Sequence, residues 1–229
     1  MNQQMATCMP DNCFCEKLHH DQCILQPSNA WSNISFLLVT LLILIKIKDK
    51  KKQNHFVKNN YLIITYGITC AIVGLGSFYY HSTLTFISQW VDVLGMYLAV
   101  TFFILYNFFS DKKNKFISSY ILVNLFLGYL LYAVPDLRRY LFAASIIILF
   151  LVIFIKEKKR SSYINYSYLK MSILSFLTGY IIWLLDYFKI LCWPESIVQG
   201  HALWHCFSAI SSLLIFYFYF SEDSKDLME

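Results

Sequence analysis

Residues 200–220 read GHALWHCFSAISSLLIFYFYF, from Gly200 to Phe220. The run is apolar and long enough to cross a bilayer as one helix, for which about 20 residues are needed. It opens with two histidines, His201 and His205, spaced i, i+4. On a helix they share one face, about 6 Å apart along the axis, so both imidazoles can converge on one ion. An imidazole inside a membrane segment is costly to bury and marks a functional site. The competing reading is a pair of histidines hydrogen-bonding between helices. The rest of the chain weighs one against the other.

Composition agrees with a membrane protein. Of 229 residues, 58% are hydrophobic, 18% aromatic and only 14% charged, and the mean hydropathy is +0.51. A soluble domain is nearer half apolar and a quarter charged. Seven apolar stretches run from Ser28 to Ile45, Tyr61 to Tyr80, Ile87 to Phe109, Phe116 to Val134, Tyr140 to Ile155, Tyr168 to Ile190 and Gly200 to Phe220. No alternating strand pattern competes, and helices satisfy their own backbone in lipid. The expected fold is therefore an all-α bundle of seven transmembrane helices. The four prolines, Pro10, Pro27, Pro135 and Pro194, fall outside helix interiors. That argues against the broken helices of a transporter.

Net charge is +5, but the cations sit in short clusters between spans. They read as topology signals and not as a nucleic-acid surface. Lys46, Lys48, Lys50, Lys51, Lys52 and Lys58 fill the first loop, Lys112, Lys113 and Lys115 the third, and Lys156, Lys158, Lys159 and Arg160 the fifth. The second and sixth loops, near His81 to Phe86 and Leu191 to Gln199, lack them; Arg138 and Arg139 in the fourth loop dissent. The positive-inside rule then sets the amino terminus outside and the carboxyl terminus in the cytoplasm. Residues 1–27 become an extracytoplasmic segment with no visible signal peptide. Residues 28–220 form the bundle, and 221–229 a cytoplasmic tail.

This topology brings the unusual residues to one depth near the outer ends of the helices. The second span ends in Gly76-Ser-Phe-Tyr-Tyr-His81, the third carries Asp92 about one turn in, and the seventh opens with His201 and His205. Three neutral imidazoles suit zinc and leave a fourth position for water, whose pKa falls towards ~7. Asp92 reads as a proton carrier, or alternatively as an orienter of a ligating histidine. Ser77, one turn before His81, reads as a hydrogen-bond donor to the water or oxyanion, or as a hydroxyl bonded to its own helix.

At these residues the sequence resembles the alkaline ceramidase family, part of a wider group of seven-helix hydrolases that includes adiponectin-receptor relatives. The pattern is Gly-Ser-x-x-x-His ending the second span, Asp92 eleven residues after His81, and Gly-His-x-x-x-His opening the seventh. It extends to Cys15-Glu16, Asn29-Ala-Trp-Ser-Asn33, and Trp183-Leu-Leu-Asp186 followed by Cys192. The resemblance implies that His81, His201 and His205 ligate zinc, with Ser77 and Asp92 beside the catalytic water. It implies hydrolysis of the amide of a ceramide-like membrane lipid to a sphingoid base and a fatty acid. It also implies a Cys15–Cys192 disulfide, and a multi-pass protein of a bacterial inner membrane or of the endoplasmic reticulum or Golgi.

Animal relatives also hold calcium through an Asp-Trp-Cys-Glu-x-Asn motif and a later glutamate. Here those positions read Cys13-Phe14-Cys15-Glu16-Lys17-Leu18, with Gln26 in place of the later acid. Glu16 alone remains as a hard oxygen ligand, whereas calcium takes six to eight oxygens, so this calcium site is not expected to be kept. Cys8, Cys13, Cys15 and Cys23 on an oxidising face favour disulfides, a Cys13–Cys23 bridge among the options, over a zinc knuckle with His19 and His20. Cys70 and Cys206 lie within helices and pack. Two other functions stay open: a zinc-dependent lipid esterase on the same scaffold, and a receptor-like protein whose zinc is structural and closed by a fourth ligand.

Overall fold

The structure, a computed structural model, describes residues 5–9, 13–48, 55–157 and 163–222. Lys50, Lys51, Lys52, Lys158, Lys159 and Arg160 lie outside the described residues, as does most of the tail. Among the described residues there are seven helices long and apolar enough to cross a membrane. We label these spans α1 (Pro27–Lys48), α2 (Asn60–Thr83), α3 (Phe86–Phe109), α4 (Lys113–Ala133), α5 (Pro135–Lys156), α6 (Tyr166–Tyr187) and α7 (Gly200–Phe220). The expected all-α, seven-span architecture is borne out. The outer surface exposes Leu38, Leu41, Leu122, Leu125, Phe154 and Leu174 among many other apolar side chains. A surface of this kind suits hydrocarbon and not water. The protein is a multi-pass membrane protein.

Local chemistry sets the helix ends. α1 breaks after Trp31 and resumes at Ile34. α2 stops at Leu84, which takes a left-handed conformation (φ 48°) and donates its N–H to the Tyr80 carbonyl. A leucine in that conformation costs about 1–2 kcal/mol, offset here by complete burial of its side chain. Thr85 then caps α3 in a reciprocal pair with Ser88. Only Leu84 and Thr85 separate the two helices, which fixes His81 relative to Asp92. α6 ends at Tyr187, three residues earlier than the hydropathy suggests, and Lys189 turns the chain at φ 57°. Lys189 thereby leaves the span and joins the histidine end of the bundle.

α2 packs between α1 and α3, α3 also carries α4 and α5, and α7 packs on α6 and α1. Among the described residues α5 and α6 share few backbone contacts, and Arg139 of α5 reaches the Trp183 and Tyr187 rings of α6. Gly76 lets α2 and α3 approach, since a Cβ there would stand 3.1 Å from Val91 Cγ1 and 3.4 Å from the Asp92 Cα. At the lysine end, Phe56, Phe102, Phe103, Tyr106, Phe216 and Tyr219 interlock, with the Phe56–Tyr106 and Phe103–Tyr219 centroids 4.8 and 4.9 Å apart. Such rings bury large apolar area and close that end.

At the other end the amino-terminal segment folds over the helices. Ala6, Cys8, Cys13 and Phe14 cluster with Tyr80 and Leu84. Thr7 donates twice to Gln89 Oε1, and the Leu25 and Gln26 amides donate to Ser82 and His81 carbonyls. Cys15 is joined to Cys192. Cys13 is joined to Cys8 and not to Cys23, which stays free and exposed. A neighbour five residues away is within reach of a turn, and Cys23 belongs to a separate turn leading into α1.

Candidate metal centre

His81 at the end of α2 and His201 and His205 at the start of α7 meet beneath this cover. Their ring centroids lie 4.9 Å (His81–His201), 5.1 Å (His81–His205) and 4.6 Å (His201–His205) apart. All three are buried, and one nitrogen from each lies within 4.8 Å of the other two. Among the described residues no other cluster of histidine, cysteine or acidic groups has this geometry. Phe14 stands edge-on to His81 and His201, with centroids 5.1 and 4.6 Å away.

The hydrogen bonds fix which nitrogens face inward. Gln26 Nε2 donates to the Glu16 carbonyl at 3.4 Å, so its Oε1 accepts from His81 Nδ1 at 2.8 Å. His81 Nε2 is thereby left with a lone pair, and it is buried without a partner. His205 Nδ1 lies 3.1 Å from the Asn29 carbonyl, which can only accept, and 2.8 Å from Ser32 Oγ. The Ser32 hydroxyl gives its own proton to the same Asn29 carbonyl, so Nδ1 carries the hydrogen and Nε2 the lone pair. Outer partners of this kind commonly set the tautomer of metal-binding imidazoles. His201 adds a second buried, unpartnered nitrogen, Nδ1. Buried polar nitrogens with no partner are rare and call for a ligand. The donor set, three neutral imidazoles, fits zinc.

α7 is held in register by Asp186 of α6. Its Oδ2 accepts from the His201 amide at 3.2 Å and its Oδ1 from the Cys15 amide at 3.1 Å. A carboxylate at a helix amino terminus is favoured by the backbone dipole. Gly200 allows the approach, because a Cβ there would lie 2.8 Å from the Asp186 Cβ. Glu16 does for α1 what Asp186 does for α7: its two oxygens accept from the Ser28 and Asn29 amides at 2.6 and 2.9 Å. Burial nevertheless holds the Glu16 carboxyl above its ordinary pKa, with those amide bonds pulling the other way.

Ser77 is buried on α2 with its Oγ 3.4 Å from His205 Nε2, and Asp92 stands across from it on α3, where Gly76 lets the two helices approach. Asp92 stands outside the histidine cluster. Both line a cavity of about 510 Å³ that also contains His201 and His205. Val73, Met96, Val100, Phe142, Ile146 and Leu177 form apolar wall, the last three drawn from α5 and α6. Five of the residues expected from the sequence thus come together. Glu16 does not join them, and its oxygens are spent on α1. Gln26, Asn29, Ser32 and Phe14 belong to the site although the sequence reading gave them no role there.

A protein-family model, Ceramidase, matches residues 11–226. The chain belongs to the ceramidase family. The match covers nearly the whole chain, and the resemblance read from the scattered motifs is borne out. Comparison with curated proteins gives no match. Membership of the ceramidase family supports a ceramide-hydrolysing function, hence a hydrolase of amide bonds with a lipid substrate.

Proposed function

We propose that this ceramidase-family chain is a zinc-dependent intramembrane amidase that cleaves a ceramide-like N-acyl lipid into a sphingoid base and a free fatty acid. Its amino terminus and histidine end face the extracytoplasmic side. The observation that carries the reading is the convergence of three buried imidazoles, two with unpartnered nitrogens, with His201 and His205 opening onto a large apolar cavity. No fourth histidine, cysteine or acid among the described residues joins them, as expected of a catalytic and not a structural site. The lysines of the first, third and fifth loops that are described stand at the end opposite the histidines, which supports the orientation.

His81, His201 and His205 would hold the ion, with Gln26, Asn29 and Ser32 fixing two of the rings. Zinc bound there supplies carbonyl polarisation and a water acidified toward neutral pH. Asp92 takes the proton of the attacking water and returns it to the leaving amine. Ser77 holds the carboxylate in position from the neighbouring helix. The apolar walls accept the lipid tails and exclude water.

The test is release of fatty acid and sphingoid base from ceramides of several chain lengths, with zinc content measured in parallel. Zinc and activity should both be lost in the His201→Ala, His205→Ala double variant. If the zinc-loaded protein cleaves acyl esters but no amide, the esterase reading replaces this one. A cytoplasmic reporter signal from a fusion to the amino terminus would reverse the orientation.

A further inference from the structure

Arg138 and Arg139 open the helical part of α5 at the histidine end, opposite the lysine clusters, so the loop-charge rule does not account for them. Arg139 is fastened: its guanidinium carbon lies 4.5 Å from the Tyr187 ring centroid and 5.6 Å from that of Trp183. Its Nη2 points to the sulfurs of Cys13 and Cys8, at 3.3 and 3.5 Å. Tyr180, Trp183 and Tyr187 form a ladder on α6, with successive centroids 5.5 and 5.3 Å apart. Cation–π contact with that ladder holds the charge in place. Arg138 gives one hydrogen bond, to the Pro135 carbonyl at 3.1 Å. The single ion pair among the described residues is Lys17–Glu195, so neither arginine meets a carboxylate of the described residues within 4.0 Å.

These two cations stand between two spaces. A second cavity of about 380 Å³ is lined by Asp136, Arg138, Arg139, Trp183, Tyr187 and Phe188, among others. The larger cavity shares Arg138, Arg139, Tyr180 and Trp183 with it. A lipid with its amide at the histidines and its tails among the apolar walls therefore carries its polar end past the guanidinium pair. The acids lining the two spaces are Asp92, in the larger cavity with the histidines, and Asp136, exposed at the rim, so the potential in the outer space is set by the adjacent guanidinium pair. In a cleft with low-dielectric walls such a potential is strengthened. A neutral hydroxyl satisfies it poorly. A tetrahedral anion accepts paired, charge-assisted hydrogen bonds from guanidinium.

We propose that the outer cavity is an anion site that selects N-acyl lipids with a phosphate or sulfonate on the head group. Arg138 is the principal donor, and Arg139 is a fixed second charge. The assignment rests on the amidase reading for the position of the scissile bond, but occupancy of the site is measurable without turnover.

The experiment compares two non-cleavable sulfonamide analogues of a ceramide, identical except for a terminal phosphate, binding to the full-length protein in detergent. Binding is followed by native mass spectrometry and tryptophan fluorescence. Wild type should bind the phosphorylated analogue about tenfold or more tightly, as expected for hydrogen bonds to charged groups. Arg138→Gln should erase most of that preference while leaving the neutral analogue bound as in wild type, which also reports that the variant is folded. Arg138→Lys should keep part of it. Equal binding of the two analogues by wild type overturns the proposal, as does a preference that survives Arg138→Gln. If inorganic phosphate is retained but the phosphorylated lipid is not preferred, the site serves a free anion and the head-group assignment fails. A chain that shows the Arg138-dependent preference yet cleaves no amide keeps this site and loses the amidase reading. A chain that cleaves ceramide without head-group preference does the reverse.

Discussion

Replacing Gln26 with leucine tests whether the metal centre depends on a residue outside the histidine triad. The side chain is fully buried, and its Oε1 is the acceptor that holds the hydrogen of His81 on Nδ1. Leucine has similar bulk but no acceptor. The Nδ1–H would then face hydrocarbon, and an unmet buried donor costs about 1–3 kcal/mol. The imidazole escapes by moving its hydrogen to Nε2, where it blocks the lone pair turned toward the other histidines. Either way the loss falls on metal binding. It corresponds to about 5- to 150-fold in affinity, which brackets the 10–100-fold typical of outer partners of metal-binding histidines. The lost bond to the Glu16 carbonyl, at 3.4 Å, adds little. Zinc affinity should be measured by chelator competition on folded protein, with thermal unfolding recorded beside it. Gln26→Glu keeps an acceptor and should retain zinc. A leucine variant that binds zinc within about twofold of wild type, or no better and no worse than the glutamate variant, refutes the reasoning.

Three further outcomes are expected. Asp92→Asn should retain zinc and lose on the order of 10²- to 10⁴-fold in turnover, with Ser77→Ala losing less; zinc loss in Asp92→Asn would make the carboxylate a ligand and not a proton carrier. Glu16 has its folded-state pKa raised by burial, so the folded protein binds its proton more readily than the unfolded one. Its contribution to stability is therefore largest at low pH and falls as pH rises from the ordinary carboxylate value through the raised one; Glu16→Gln should flatten that slope in melting experiments, and an unchanged slope would assign it elsewhere. Reducing the Cys15–Cys192 bridge should release the amino-terminal segment, seen as faster proteolysis before Pro27, at a cost well below the roughly 5 kcal/mol that a flexible loop of this length implies. The discount arises because the helices inside that loop stay formed in the membrane, and loss of all helical signal on reduction would contradict it.

The sequence carries the fold almost completely, because in lipid the length and apolarity of a segment nearly determine its structure. Its errors are local. α6 stops at Tyr187 because of the turn at Lys189, which hydropathy averages away. The triad was legible because His201 and His205, like Ser77 and His81, carry helical spacing, and because three spans end at one depth. Gln26, Asn29 and Ser32 were not, since each meets its histidine across 55 to 176 positions of chain. Polar residues at the start of a first span look like ordinary interfacial groups. Cysteine spacing left the pairing of Cys13 open, and only the fold of the amino-terminal segment turns it toward Cys8.

The triad ties Gln26, just ahead of α1, to His81 at the end of α2, and Asn29, in the first turn of α1, to His205 in α7. Synthesis proceeds from the amino terminus, so a nascent chain has threaded six helices through the bilayer while it still owns one of the three imidazoles. An interrupted translation product, or one lacking α7, therefore has no place to gather an ion. The candidate ligand set is thus completed only when α7 joins the other six helices.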